Sequence, residues 1–465
     1  MKLALNPLLT AVAPPPIPEV HGWIVGRQFP AEKPLIDVAQ AIPGYPPPKP
    51  LTDHLAAIIG DPTSAPYTDV PGLPGLRAAL ARDVGRFYNA EIAAADVTIT
   101  AGCNQAFCLT LLALARAGDE IILPVPYYFN HQMWLDMQGI GARHLPFRPE
   151  RSGVPDPAEA AAMIGPRTRA IVLVSPNNPT GAVFPAEVIA EFYKLARRHD
   201  IALILDETYR DFMPTDDAPH GLFLEQGWRD TLVQLYSFSK AYCLSGYRVG
   251  SIITGRALST EIAKAMDTVQ ICAPRIAQLA ALYGIDQLGE WRQTNRALMR
   301  GRLEALRKAM ARNDLRYRLV SAGAYFAYIA HPFEGRSATQ VRAGWPTSRT
   351  YWRSPAAYSG RARSAICASP SPMCRRNQHA HWPNASPRTP RGDEFLCFVI
   401  PAEADPGHGT AGEGSARLYR DIFPPPAWLG CGGEAGAGAA ERARKAHAKQ
   451  GVIACPPSSS TASPS

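Results

Sequence analysis

Residues Ala170–Tyr209 read AIVLVSPNNPTGAVFPAEVIAEFYKLARRHDIALILDETY. An unbroken apolar run, Ala170–Val174, leads into Asn178-Pro179-Thr180-Gly181, a turn signal. Pro185–His199 then places Val188, Ile189, Phe192, Leu195 and Ala196 at a 3.6-residue period, which gives a helix one apolar face. Pro185 suits the first turn, Glu187 complements the amino-terminal dipole, and Arg197-Arg198-His199 complement the carboxyl end. A second apolar run, Ile201–Leu205, ends in Asp206-Glu207-Thr208-Tyr209. Apolar runs without alternation fit strands buried on both faces. Strand–helix–strand succession implies parallel pairing through right-handed crossovers. Ligands of such sheets bind at the carboxyl ends of the strands, where the polar residues of this stretch fall.

The same pattern extends outward. Val97–Ala101, Glu120–Pro124 and Thr231–Tyr236 read as further strands, and a helix runs through Leu109–Leu114. Residues 51–285 are therefore expected to form a large α/β domain with a mostly parallel sheet. Residues 1–50, with Pro14-Pro15-Pro16 and Pro46-Pro47-Pro48, read as an extended amino-terminal arm and a segment of a smaller domain. A smaller α/β domain is expected to begin in 286–341. There Glu290–Arg312 is helical and Arg-rich on one side, and Ser321–Ile329 reads as one strand. No internal repeat is evident.

The chain of 465 residues has a net charge of +8, but residues 342–465 hold 15 Lys and Arg against 8 Asp and Glu. The remaining 341 residues carry 33 against 32, with no basic run of the kind that tracks a phosphate backbone. No nucleic-acid partner is expected. Neither is a membrane span, since no 18-residue apolar run exists. The start, Met1 to Ala13, imitates a signal peptide, but Asn6-Pro7 interrupts it. Scattered cysteines without a Cys-x-x-Cys pair fit a reducing compartment and give no zinc site. The expected location is cytoplasmic.

Ser237-Phe238-Ser239-Lys240 and Gly246-Tyr247-Arg248 follow the Thr231–Tyr236 run. With Asn178 and Asp206 through Tyr209, they supply an amide, a carboxylate, a phenol, an amine and a guanidinium in order along the chain. Singly, each motif is a turn, a cap or a solvated charge; the ordered set is informative. With Tyr67 through Gly72 to Arg77, Thr100-Ala101-Gly102-Cys103-Asn104-Gln105-Ala106 and Pro126-Tyr127-Tyr128, the chain resembles the class I/II aminotransferases, pyridoxal-phosphate enzymes of fold type I. The resemblance covers roughly residues 20–335.

That resemblance implies pyridoxal 5'-phosphate as cofactor and a role for each matching position. Lys240 would attach to the cofactor aldehyde and move the substrate α-proton, which requires a lowered pKa. Asp206 would keep the pyridine nitrogen protonated. Tyr209 and Asn178 would hydrogen-bond the ring oxygen, and Tyr128 would stack on the ring. The phosphate would rest on amides of Cys103 and Asn104, after Gly102, with Ser237 and Arg248 completing the cup. Tyr67 would reach the phosphate of a neighbouring subunit, which implies a homodimer. The Cys103 thiol is expected to be incidental and Tyr127 to pack. Trp23 and Tyr45 either dock the arm or line the substrate pocket, with docking favoured. His131 and His144 are given no role.

The chain departs from the family pattern near its carboxyl end, where an Arg that grips the substrate α-carboxylate is expected and not found. Residues 342–465 contain only 12 Leu, Ile, Val and Phe among 124, too few to offset an ordering entropy of about 1–2 kcal/mol per residue. Synonymous codons for Ala357–Cys374, read from each third base, give VFGPGALGYLRFAFANV, which looks like the missing strand, Arg included. The same frame carried upstream to Arg342 gives RWLANKPDILALAGS. Residues 342–465 are therefore expected to be an out-of-frame, disordered tail; the competing reading is a genuine basic extension. The functional expectation is an aminotransferase exchanging an amino group between an L-amino acid and a 2-oxo acid. Alternatives are a lyase or decarboxylase of the same fold, or an inactive cofactor-binding remnant. A sensor fused to a DNA-binding module is disfavoured because no winged-helix-like segment precedes residue 20.

Overall fold

The computed structural model describes residues 3–22, 25–29, 36–333, 351–353 and 395–399. The chain opens with α1 (Pro7–Thr10), α2 (Pro16–Gly22), β1 (Ile36–Val38), α3 (Lys49–Ile59) and α4 (Pro74–Tyr88). Next come β2 (Val97–Thr100), α5 (Cys103–Leu114), β3 (Glu120–Pro124), α6 (Phe129–Gln138), β4 (Gly141–Leu145), α7 (Pro157–Ala161) and β5 (Thr168–Val174). Then follow α8 (Ala186–Arg198), β6 (Ala202–Asp206), β7 (Leu232–Ser237), α9 (Phe238–Ala241) and β8 (Gly250–Ile253). The rest are α10 (Arg256–Gln270), α11 (Arg275–Gln287), α12 (Gly289–Met310), β9 (Arg318–Gly323), β10 (Phe326–Ala330), β11 (Tyr351–Arg353) and β12 (Phe395–Val399).

Seven strands form one sheet in the order β2-β8-β7-β6-β5-β3-β4, and only β8 runs against the others. The continuous apolar runs have the physical origin expected of them. Ile171 and Leu173 of β5, with Leu203 and Leu205 of β6, enter the core on one face beside Ile189, Phe192 and Leu195 of α8. Their neighbours Ala170, Val172, Ala202 and Ile204 enter a second core beside Phe107 and Leu109 of α5. Each fully buried Leu or Ile contributes about 1.5–3 kcal/mol. A third core joins Met299, Leu303 and Leu306 of α12 to Phe326, Tyr328 and Ile329 of β10.

Three expectations need correction. The segment 1–50 is not simply an extended arm. It includes α1, whose Asn6 side chain accepts from the Leu8 amide at 3.0 Å, and α2. Proline at a helix's first position forfeits no internal hydrogen bond, so Pro7 and Pro16 start helices. Ser321–Ile329 is not one strand but the two arms of an antiparallel hairpin, β9 and β10. Ala324 turns the chain with φ +48, and this turn is buried with Tyr325, so no polar turn residue marks it. Pro185 is the residue capping α8 rather than a member of its first turn.

Two short segments of the expected tail lie among the described residues. β11 pairs in parallel with β1, and β12 pairs antiparallel with β10. The rest of 342–465, and Trp23, lie outside the described residues. No helix of the described residues is long and apolar enough to cross a membrane.

Candidate active site

The carboxyl ends of β2, β3, β5, β6 and β7 face one edge of the sheet, and antiparallel β8 begins there. At this edge a cavity of about 550 Å³ is lined by Cys103, Asn104, Tyr128, Asn178, Asp206, Tyr209, Ser237, Lys240 and Arg248. Strand geometry thus brings together residues spread over 146 positions of sequence, Cys103 to Arg248. Gly102 stands directly behind them: a Cβ added there would lie 2.4 Å from Arg248 Nη2. With φ +84 at Gly102 as well, only glycine lets the guanidinium close over the start of α5. Tyr67 does not line this cavity and is 74% exposed.

Lys240 sits on α9, a single turn whose start is capped by the Ser237 hydroxyl accepting from the Ser239 amide at 3.2 Å. Its amine donates to the Ala41 carbonyl. Burial, and then the nearby Arg248 charge, lower the amine to about 8. Asp206 ends β6 and is buried. Burial alone would raise its carboxyl. Hydrogen bonding and charge from His131, with the hydroxyl and amide of Thr208, win and hold it below the ordinary carboxylate value. The Thr208 amide donates to Oδ1 at 3.0 Å, and His131 Nε2 stands 3.5 Å from Oδ2.

Tyr128 caps α6, accepts from Asn130 Nδ2 at 2.7 Å and donates to Asn104 Oδ1 at 3.3 Å. Burial pushes its phenol up to about 12, so it stays neutral. Tyr209 is buried and its ring meets Phe326 edge-on at 5.2 Å, with Lys240 Nζ 5.9 Å from its centroid. Asn178 lies in the loop that Gly181 makes possible. Any Cβ at Gly181 would sit 2.4 Å from the Gly323 amide nitrogen, and the Ser321 hydroxyl donates to the Thr180 carbonyl at 2.8 Å. Arg248, at φ +59, donates from Nη1 to the Ser245 carbonyl at 2.8 Å, which orients its guanidinium.

His131 was given no role by the sequence, yet it is the partner of Asp206, stacked on Phe107 at 3.9 Å. Its three-residue spacing from Tyr128 on a helix was the only available signal. The segment Ala39–Ile42, with Pro16, Ile17 and Phe326, also lines the cavity and had no polar motif to betray it. Tyr45 docks: its hydroxyl is 2.9 Å from that of Tyr325 and its ring meets Trp291 edge-on. Tyr127 packs against His144, which also contacts Gln132. The Cys103 thiol lines the cavity, and burial raises it well above the usual thiol value.

This donor set fits pyridoxal phosphate. A buried carboxylate held ionised suits a pyridinium nitrogen, and a neutral phenol can stack on the ring. A helix amino terminus of twelve residues beneath Arg248 suits a phosphate. A partly deprotonated amine suits an aldehyde.

The comparisons agree. Among curated relatives, an aspartate aminotransferase of Thermotoga maritima is 28% identical over 218 residues, 47% of this chain and 58% of the relative. A probable aspartate/prephenate aminotransferase of Thermus aquaticus is 31% identical over 251 residues, 52% and 61%. A valine–pyruvate aminotransferase of Mycobacterium tuberculosis is 32% identical over 211 residues, 45% and 54%. The chain thus spans little more than half the length of these relatives. Among solved structures, Thermus thermophilus aspartate aminotransferase with maleate superposes with a TM-score of 0.72 at 20% identity, covering 90% of this chain and 99% of that one. Escherichia coli YbdL, a protein with a methionine aminotransferase function, gives 0.73 at 21% identity, covering 90% and 100%. These structures show the fold, that of fold type I pyridoxal-phosphate enzymes. The family description "Aminotransferase class I and II" matches residues 29–343, and the chain belongs to that family.

Proposed function

We propose that the protein is a pyridoxal-phosphate-dependent transaminase, moving an amino group from an L-amino acid to a 2-oxo acid by ping-pong exchange. The observation that carries this reading is one cavity holding both the Lys240 amine, lowered to about 8, and the ionised Asp206 carboxylate. When bound, the cofactor supplies an aldehyde for Lys240 and an electron-withdrawing ring. Lys240 Nζ then holds or moves the proton at the substrate α-carbon, guided by the Ala41 carbonyl. Asp206, backed by His131 and Thr208, would keep positive charge at the ring nitrogen. Tyr128 would stack on the ring, and Tyr209 and Asn178 would hydrogen-bond the ring oxygen. The amides of Cys103 and Asn104, after Gly102, would hold the phosphate with Ser237 and Arg248.

We extend the reading to a cytoplasmic homodimer in which Tyr67 of one subunit reaches the phosphate site of the other. Its high exposure and its place away from this chain's own cavity support that geometry. The names of relatives span aspartate, prephenate and valine, so the substrate is assigned only as an L-amino acid. We also propose that residues 342–465 are out of frame. The family match ends at residue 343, just beyond Val341, and among the described residues the cavity is lined by no arginine other than Arg248. That loss favours a second reading, a cofactor-binding protein with weak or absent turnover. We also propose a large domain at 51–285 and the start of a smaller one at 286–341, a division supported by the separate cores around the sheet and around α12, although Tyr209 and Phe212 join the second core and Leu288 the first.

The test uses purified protein mixed with pyridoxal phosphate, reduced with borohydride and digested. The mass of the cofactor should appear on the peptide holding Lys240; its appearance elsewhere, or nowhere, overturns the reading. Product analysis with single amino donors separates transamination from lyase chemistry, which releases ammonia and needs no oxo-acid acceptor.

A further inference from the structure

The arginine-rich side of α12 has a use that the cofactor site alone does not explain. Arg292, Arg296 and Arg300 stand one helical turn apart, so they share a face. Arg296 Nε donates to the Asp211 carbonyl at 2.8 Å and Arg300 Nε to the Met213 carbonyl at 3.0 Å. Both also reach the exposed Asp216 carboxylate, at 2.8 and 2.9 Å. The three-residue turn directly after Tyr209, with Met213 behind it, is therefore gripped through its backbone by α12, whose core also takes in Tyr209 and Phe212.

Arg292 goes deeper. Its Nη2 donates to Asp83 Oδ1 of α4 at 3.1 Å. Its Nη1 lies 2.5 Å from the Tyr242 hydroxyl and 3.4 Å from Asp211 Oδ1. The circuit closes behind it. Arg210 Nη2 reaches Asp83 Oδ2 at 3.2 Å, and the Tyr236 hydroxyl donates to Asp211 Oδ2 at 2.7 Å. Two carboxylates face two guanidiniums, so the buried charge is balanced. Tyr236 precedes Ser237, and Tyr242 caps the turn that carries Lys240, its amide donating to the Phe238 carbonyl at 3.2 Å. The Tyr242 ring is wedged where Gly284 of α11 leaves room: a Cβ there would lie 2.6 Å from its Cδ1.

We propose that Arg292 is a positioning residue, whose forked guanidinium ties α12 to the two turns that present Tyr209 and Lys240. The inference rests on the function proposed above for those two residues. Lysine cannot substitute, because one ammonium cannot hold Asp83, Asp211 and Tyr242 in fixed directions. Removing the arginine outright would leave two buried carboxylates short of a partner, so a plain deletion reports stability as well as positioning.

Three variants of the full chain separate these effects: Arg292→Lys, Tyr242→Phe, and the charge-balanced pair Asp83→Asn with Arg292→Met. Two readouts are taken. One is the pH midpoint of the bound cofactor's visible absorbance; the other is amide exchange in residues 209–213 and 238–242 without cofactor. All three variants should move the midpoint by about half a unit or more and speed exchange in both segments about tenfold. Unchanged values in Tyr242→Phe, which loses only one hydroxyl, overturn the proposal even where the other variants do not fold. Wild-type values in the charge-balanced pair also overturn it, since Arg292 would then only neutralise charge. A wild-type protein that never takes up pyridoxal phosphate refutes the proposed function instead, while the exchange measurement still decides the clamp.

Discussion

At the scale of the residue, the amine of Lys240 carries an energetic cost that chemistry uses. Burial first, then Arg248, lower it to about 8 from an ordinary value of 10.5. Between those values the unfolded chain holds a proton that the folded chain has released. Stability of the cofactor-free protein should therefore rise with pH across that window, and the penalty is complete below it. Lys240→Met removes the penalty. The variant should be more stable at pH 7 by up to about 3 kcal/mol, with the gap closing as pH approaches 10.5. Urea unfolding at pH 7, 9 and 10 measures it; a gap that ignores pH would mean the amine titrates normally. Asp206→Asn keeps shape but loses charge beside His131. Half-reaction rates should fall on the order of 100- to 1,000-fold, as when a preorganised electrostatic group is removed, while pyridoxal phosphate still attaches to Lys240. An undiminished rate would show that the ring nitrogen needs no counter-charge here.

At the scale of the element, glycines report where one piece of chain must touch another. Gly181→Ala drives a methyl to within 2.4 Å of the Gly323 nitrogen and 2.6 Å of the Phe326 carbonyl, both backbone atoms, at a residue with φ +69. The loop carrying Asn178 would have to lift off β9 and β10. We expect a loss of about 2–3 kcal/mol from strain and overpacking together, read as a lower thermal midpoint with intact secondary structure. The same contact explains what was legible beforehand. Asn178-Pro179-Thr180-Gly181 announced a turn, but what its glycine touches lies about 140 residues away and has no local signature. Strands β3, β5, β6 and β7 were readable because burial on both faces demands unbroken apolar runs. Edge strand β4, with Arg143 and His144, and the four-residue β8 broke that rule and escaped notice. Most of the residues that line the cavity were readable because they end or closely follow an apolar strand run. His131 and the buried circuit around Arg292 were not, because their partners are set by tertiary packing.

At the scale of the whole molecule, the question is what completes the core around α12. β10 is paired on one side by β9 and on the other by β12 over only Phe395–Val399. The intervening segment 354–394 contains a single Ile and no Leu, Val or Phe. A stretch of that composition can bury little apolar surface of its own. If the frame changes near Val341, the reading frame alone accounts for both the composition shift and the absent carboxylate-binding arginine. DNA sequence across that codon should show a single-base insertion or deletion relative to a gene that reads VFGPGALGYLRFAFANV downstream. Expression of the frame-corrected gene should give a homodimer by sedimentation. Its half-reaction rate should exceed that of the present chain by about 100-fold or more, because a lost partner of a buried charge pair costs about 2–5 kcal/mol. Cofactor attachment should differ little, since Lys240, Asp206 and Arg248 all precede the break. Equal rates in the two proteins, with an intact frame in the DNA, would instead make residues 342–465 a genuine extension and place the substrate carboxylate on groups elsewhere in the cavity.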